Sequence, residues 1–222
     1  MRLLDLCCGA GACSVGYHRA GFDVTGVDIE VHPDYPFELI VADAMDILTD
    51  TAFLAGFHAV HCSFPCQGYT TMSNRWRGQG GAADDWPKLI TPGRVLLEAW
   101  GGPYVIENVP GARAEMRNPF LLHGGMFGLQ VHRPRLFEVN FPVMVFEAPA
   151  LTNPVGVYGK LDGRRLWTRS DGTEQRAAKT LEQAQAAMGI EWMQWHDLVE
   201  AVPPAYTEFI GSQLADFLAV AA

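Results

Sequence analysis

Arg2-Leu3-Leu4-Asp5-Leu6-Cys7-Cys8-Gly9-Ala10-Gly11-Ala12-Cys13-Ser14 is the stretch whose reading decides the fold. Its first five residues are a short apolar strand. Cys7 to Gly11 form a glycine-rich turn. Ser14 is placed to cap a helix through Val15, Tyr17, His18 and Ala20, which Gly21 stops. The same alternation continues downstream. Val24 to Asp28 reads as a second strand and Glu38 to Ala42 as a third, ending at Asp43. Residues 44–56 read as helical, Phe57 to Ser63 as a fourth strand, and Tyr104 to Ile106 as a fifth, leading into Glu107-Asn108-Val109. Strands alternating with helices predict an α/β, Rossmann-like fold: a mostly parallel sheet with helices on both faces.

The 222 residues are enough for one large domain, or a domain with a small appendage. Half are hydrophobic and 18% are charged, the composition of a globular chain. No apolar run approaches a membrane span, and Met1 leads straight into a strand-like run, so a cytoplasmic location and no membrane partner are expected. Five cysteines, Cys7, Cys8, Cys13, Cys62 and Cys66, argue for reduced thiols. Cys62 and Cys66 are spaced CxxxC near His58 and His61, a poor zinc pattern, and no metal is expected. The net charge of −9 is unevenly spread. Residues 1–60 carry −7 and residues 180–222 carry −6, whereas residues 61–179 carry +4 and hold every basic residue except Arg2 and Arg19. That middle segment could bind a polyanion while the acidic flanks face elsewhere.

The remaining segments are read in the same way. Residues 68–93 form a long glycine- and arginine-containing loop, and loops of that length are usually functional or disordered. Thr91-Pro92 opens a helix through Trp100, and Leu136 to Val139 is strand-like. Over 141–180 the alternation fades and Pro, Gly, Thr and basic residues increase, which marks a small lobe inserted after a catalytic unit of residues 1–140. Thr180 caps a helix to residue 198, Pro203-Pro204 breaks the chain, and a final helix from Tyr206 to Ala221 returns to the first unit, so residues 181–222 close the domain.

The chemistry follows from strand ends. Gly9 and Gly11 let the backbone approach a ligand at a helix N-terminus. Asp28 stands where an acid accepts from ribose hydroxyls, and Asp43 could accept from an adenine amino group. Ser14 replaces the third glycine of GxGxxG, so the pattern suits S-adenosylmethionine better than NAD. In His61-Cys62-Ser63-Phe64-Pro65-Cys66-Gln67-Gly68-Tyr69, a buried strand ends in a turn stiffened by Pro65 with Cys66 at its tip. In a parallel sheet the strand ends share one edge, so Cys66 and Glu107 can both face the cofactor. A thiolate and a carboxyl group beside an adenosyl cofactor suggest covalent activation of an electron-poor ring such as cytosine. Arg133 and Arg135, two apart on an extended segment, could hold a phosphate or orient the base and thiolate.

Asp-Leu-x-x-Gly-x-Gly, Phe-Pro-Cys-Gln-Gly, Glu-Asn-Val and Arg-x-Arg-Leu-Phe occur here in the order and rough spacing of the cytosine-5 DNA methyltransferases, which the chain resembles over nearly its whole length. The resemblance implies a flipped cytosine in double-stranded DNA, attacked by Cys66, with Glu107 holding the base and Arg133 and Arg135 orienting it and its surroundings. It implies a cofactor site for S-adenosylmethionine, and for its product S-adenosylhomocysteine, lined by Asp5, Cys7, Gly9, Gly11, Asp28, Ile29, Asp43, Ala44, Pro65 and Ser212, the last in the closing motif Ile210-Gly211-Ser212. DNA contacts are expected from Gln67, Tyr69, Arg75 and Arg77 in the loop and from Lys160, Arg164, Arg165 and Arg169 in the lobe, the lobe residues chiefly on phosphates. A monomer is expected. The chain departs from the family in carrying Val131-His132 before Arg-x-Arg, Ser212 in place of an asparagine, and a recognition lobe of only some forty residues. The short lobe predicts a target of few bases. A tRNA cytosine, a free cytosine nucleotide, or a non-catalytic role in binding nucleic acid are the alternatives.

Overall fold

The computed structural model describes residues 1–69, 86–149, 151–168 and 174–221. A seven-stranded sheet forms the centre. In chain order its strands are β1 (Arg2–Leu6), β2 (Asp23–Asp28), β3 (Glu38–Val41), β4 (Ala59–Cys62), β5 (Tyr104–Asn108), β6 (Phe120–Leu122) and β7 (Arg135–Val139). Their order across the sheet is β3-β2-β1-β4-β5-β7-β6. The first five run parallel, β7 returns antiparallel to β5, and β6 pairs antiparallel with β7 at the edge. The mostly parallel sheet expected from the sequence is present.

Alternating side chains divide the core between the two faces. Leu4, Leu6, Val60, Cys62, Tyr104 and Ile106 pack on one side with α2 (Ala44–Thr49), α3 (Thr51–Leu54) and α4 (Ile90–Trp100). Leu3, Val24, Ala59, Val105 and Phe137 face the other side, toward α1 (Ala12–Arg19) and α7 (Pro204–Ala221). On that second face three positions are polar and buried: Asp5, His61 and Glu107. Helices α1 and α7 run parallel and touch closely. Gly16 admits Thr207 and the Pro204 carbonyl, and Gly211 lies against Ala20 and Tyr17 at the far end of α1.

Several helix boundaries differ from the sequence reading. Gly11, in the left-handed region at φ 88°, caps α1, and Ser14 lies inside the helix with its hydroxyl on Asp5. The segment 44–56 splits at Asp50, which accepts from the Phe53 N–H and caps α3. The helix begun at Thr180 ends at Gly189 (φ 68°) as α5 (Leu181–Met188), followed by the short α6 (Trp195–Leu198). Pro204 starts α7 instead of breaking the chain, because a helix's first turn needs no N–H from it.

A second sheet of three strands, β8 (Val155–Gly156), β9 (Arg165–Thr168) and β10 (Glu174–Ala177), has the order β8-β10-β9. Its apolar residues do not form a separate core. Val157 and Ala178 pack with Ala12, Val131, Ala184, Met188, Ile190 and Leu198. The 141–180 segment is thereby fastened to both the first unit and the C-terminal helices. Among the described residues no helix is long and apolar enough to cross a membrane, and no group of three or more His, Cys, Asp or Glu side chains is placed to hold a metal ion.

Candidate active site

The carboxyl ends of β1 to β5 share one edge of the sheet, and the turns leaving them carry most of the predicted site residues. After β1, Cys7 and Gly9 adopt positive φ (55° and 51°), which bends the chain so that the Gly9 N–H donates to Asp28 Oδ2 at 2.9 Å. Asp28 Oδ1 accepts from the Glu30 N–H at 3.1 Å and lies 3.5 Å from His32 Nε2. Nothing lies within 4 Å of where a Cβ on Gly9 would stand, so this side of the turn is open. Gly11 serves a different purpose. A Cβ there would meet Pro36 at 2.8 Å and the Tyr35 ring at 3.0 Å, so its missing side chain makes room for the chain itself. Asp43 caps α2, accepting from the Met45 N–H at 2.7 Å, and Ala44 is the buried first residue of that helix. Beside these acids the apolar side chains of Ile29, Val31 and Val41 are exposed, an unusual cluster at a strand edge.

Beneath the turn lies a buried polar group. Ser14 Oγ donates to Asp5 Oδ2 at 2.5 Å and contacts Tyr35 Oη at 2.8 Å, while Asp5 Oδ1 is buried without a hydrogen-bond partner among the described residues. Burial pushes the Asp5 carboxyl up to about 7, with the Ser14 hydrogen bond opposing.

The thiol stands in the turn leaving β4 and the second carboxyl on the adjacent strand β5. The Tyr69 N–H donates to the Cys66 carbonyl at 2.9 Å and closes the turn after β4. Asn108 Nδ2 donates to the Phe64 carbonyl at 2.8 Å and ties that turn to β5. Because side chains alternate, Glu107 then points to the opposite face from Asn108. It is 5% exposed and paired with Arg135, whose Nε lies 3.0 Å from Glu107 Oε1. That N–H is not aimed along a hydrogen bond, and Oε1 has no directed donor among the described residues. Burial raises the Glu107 pKa, while Arg135, Ser63 and Arg133 lower it. The Cys66 thiol is also shifted up, first by burial and then by the Glu107 charge. Arg135 pulls it down without prevailing, and Glu200 adds to the rise. A half-buried thiol and a buried carboxyl paired with a guanidinium thus lie under one another's electrostatic influence, the combination needed for a nucleophile with an acid beside it.

No protein-family model matches the chain, and no curated protein matches it in sequence. Solved structures do match in shape. One is described as a DNA modification methyltransferase encoded within an E. coli prophage (15% identity, 99% of each chain, TM-score 0.64). A second is the Entamoeba histolytica methyltransferase EhMeth (13% identity, 98% of each chain, TM-score 0.66). A third is the S. pombe Dnmt2 methyltransferase (14% identity, 98% of this chain and 99% of that one, TM-score 0.58). The chain has a methyltransferase fold.

On this methyltransferase fold two predicted site residues are displaced. Ser212 is exposed in the middle of α7, bonded back to the Glu208 carbonyl at 2.9 Å. Its neighbour Gly211 packs on Ala20 at the C-terminal end of α1, at the opposite end of that helix from the glycine turn, so Ser212 does not line the cofactor edge. Tyr69 is a core residue, 5% exposed, with the Ile90 N–H near its hydroxyl. Arg133 stands at φ 36° with its guanidinium on three carbonyls: Ala201 (3.0 Å), Val157 (3.3 Å) and Val199 (2.5 Å). It joins the lobe and the segment before α7 to the site. Burial pushes its pKa down to about 9. Gln67, next to the thiol, has a buried Oε1 without a partner among the described residues. Lys160 and Arg164 are exposed on the lobe, Arg164 near Asp162. Arg165 lies on β9, while Arg75, Arg77 and Arg169 lie outside the described residues.

Sequence reasoning missed five contributors. Tyr35 fills the slot made by Gly11 and Gly26, and Trp192 donates to the Ala10 carbonyl at 3.3 Å. Glu200 faces the thiol electrostatically. His61 and Ser63 form a hydrogen-bonded line behind Glu107. The signal for His61 was present: a histidine alternating with Ala59 on the apolar face of a core strand needs partners.

Proposed function

We propose that the chain is a methyltransferase acting on carbon 5 of cytosine in double-stranded DNA, with S-adenosylmethionine as donor. The observation that carries this reading is that Cys66, in the turn leaving β4, and Glu107, on the adjacent parallel β5, act electrostatically on one another, with Arg135 beside the carboxyl and a glycine turn two strands from Glu107. The open face of Gly9, the two acids Asp28 and Asp43, the uncommitted Asp5 oxygen and the exposed Ile29, Val31 and Val41 suit an adenosyl group with its ribose, amine and flat ring. Those residues, with Cys7, Ala44 and Pro65, would hold it. When bound, the cofactor supplies a methyl group, its sulfur keeping the bonding pair and leaving as S-adenosylhomocysteine.

The chain's residues supply the rest. The Glu107 charge opposes ionisation of the Cys66 thiol, and passing the thiol proton to Glu107 removes that opposition. With that proton on Glu107, the Arg135 charge is left to favour the thiolate. The thiolate forms a bond to cytosine C6. The C5=C6 pair shifts to C4=C5, the C4=N3 pair moves to N3, and N3 takes the proton from Glu107. Carbon 5 is then a nucleophile. The other carboxyl oxygen accepts from the exocyclic amine. After methylation a water molecule takes the C5 proton, the C–H pair forms C5=C6 and the C6–S pair leaves with the thiolate, while N3 returns its proton to Glu107. A base inside a duplex must be flipped to reach this site. Lys160, Arg164 and Arg165 on the lobe, with Arg169, Arg75 and Arg77, supply phosphate contacts, and the short lobe fits a target of few bases.

The test is trapping. Protein, S-adenosylmethionine and duplex DNA carrying 5-fluorocytosine in many contexts should yield a denaturation-resistant adduct whose mass maps to Cys66. Trapping on RNA alone would move the substrate to RNA. Absence of any adduct while the cofactor demonstrably binds would end the catalytic reading.

A further inference from the structure

Behind Glu107, away from the ligand edge, a line of buried polar groups crosses the α1 face of the sheet. Tyr17 Oη on α1 is 2.9 Å from His61 Nδ1, in the middle of β4. His61 Nε2 is 2.9 Å from Ser63 Oγ at the end of that strand. Ser63 follows Cys62, which is in register with Ile106, so it stands beside Glu107 on the neighbouring strand, and its hydroxyl acts on the carboxyl as a hydrogen-bond donor that lowers its pKa. Tyr17 and His61 are fully buried among Leu3, Phe22, Ala59 and Val105. Burial in such surroundings is costly for polar groups unless each is paired, and here each is.

We propose that Tyr17, His61 and Ser63 are positioning residues for Glu107: one hydrogen-bonded chain that fixes the orientation of the carboxyl and holds it, at rest, in the ionised form that then takes up the thiol proton. The inference rests on the reading of Glu107 as the group that meets the base. The direction of the chain follows from valence. A carboxylate only accepts, so Ser63 donates to it. The Ser63 oxygen accepts from His61 Nε2–H, and the bare Nδ1 accepts from the Tyr17 hydroxyl. Tyr17 then donates, Glu107 accepts, and His61 and Ser63 each do both. If Glu107 holds the proton and donates to Ser63, the order reverses, and the buried Tyr17 hydroxyl loses its acceptor. His61 stays neutral in either direction, since burial lowers its pKa to about 3. The other ionisable groups facing Glu107 are Arg135 and Arg133, which favour its charge, Asp5, whose charge opposes it, and the Cys66 and Cys13 thiols, whose own ionisation it opposes. Removing Ser63 tips that balance toward the acid.

Two measurements on the protein without ligands test the chain. Nitrogen NMR of the wild-type protein should show His61 neutral with its proton on Nε2 at neutral pH. The Nδ1–H tautomer would overturn the proposal. Carbon NMR of labelled glutamate, assigned with Glu107→Gln, should show the Glu107 pKa rising by about one unit, a tenfold loss of carboxylate at a given pH, in Ser63→Ala. Ser63→Thr, which keeps the hydroxyl, should restore it, and an unchanged titration in Ser63→Ala would overturn the proposal. Neither measurement depends on turnover. The 5-fluorocytosine adduct, measured separately, tests the function: a chain as described without any adduct leaves positioning intact and ends the catalytic reading, and the reverse ends positioning alone.

Discussion

Arg135 Nε stands 3.0 Å from Glu107 Oε1, and its charge favours ionisation of both the carboxyl and the Cys66 thiol. The pair is largely buried, so its removal acts on stability as well as on reactivity. Arg135→Ala leaves a buried carboxyl without its cation. A cost of about 3 kcal/mol is expected at pH 8, falling at acid pH where Glu107 is protonated. Urea unfolding at the two pH values checks this.

The thiol's raised pKa makes Cys66 a slow nucleophile at rest. Alkylation by iodoacetamide, followed by mass on the Cys66 peptide, should be slower at pH 7 than at pH 9. Glu107→Gln removes a neighbouring negative charge and should speed alkylation at pH 7, on the order of tenfold for each pKa unit regained. Arg135→Ala should slow it.

Asp5 makes stability depend on pH in a known direction. Its folded pKa, near 7, exceeds the ordinary 3.8, so the folded state binds the extra proton. Stability from this group is present below pH 4, is lost as pH rises to about 7, and stays lost above. Asp5→Asn should therefore gain on wild type across that window, by up to roughly 4 kcal/mol at pH 8. Thermal unfolding from pH 4 to 8 measures it, and a constant difference would show that Asp5 is ionised throughout.

Two glycines separate folding from cofactor binding. Gly11→Ala meets Tyr35 and Pro36 at φ 88° and should lower the melting temperature clearly, since left-handed backbone alone costs about 1–2 kcal/mol. Gly9→Ala meets no neighbouring atom. It should show only the backbone cost, yet lose S-adenosylmethionine affinity by tenfold or more in calorimetry. Equal affinities for Gly9→Ala and wild type would place the cofactor elsewhere.

Asn108→Ala removes the donor to the Phe64 carbonyl. Leaving that buried acceptor unpaired costs about 1–3 kcal/mol, and the Cys66 turn loses its tie to β5. Adduct formation should fall further than stability explains, as seen by comparing trapping rates below the melting transition.

The sequence by itself determined the strand order along the chain, the glycine turn and the placing of Cys66, Glu107, Asp28 and Asp43 at strand ends. These follow from local periodicity and from the rule that parallel strands share a carboxyl edge. It did not determine which side chains meet. Tyr17 reaches His61 and Arg133 reaches Ala201 across long stretches of chain, and only the packing of α1 and α7 on the sheet brings them together. The same packing carries Ser212 to the far end of α1, puts Tyr69 in the core and fits Tyr35 against Gly11 and Gly26. Periodicity reports which face a residue takes, whereas partners are chosen by the tertiary fit that satisfies buried polar groups and fills space.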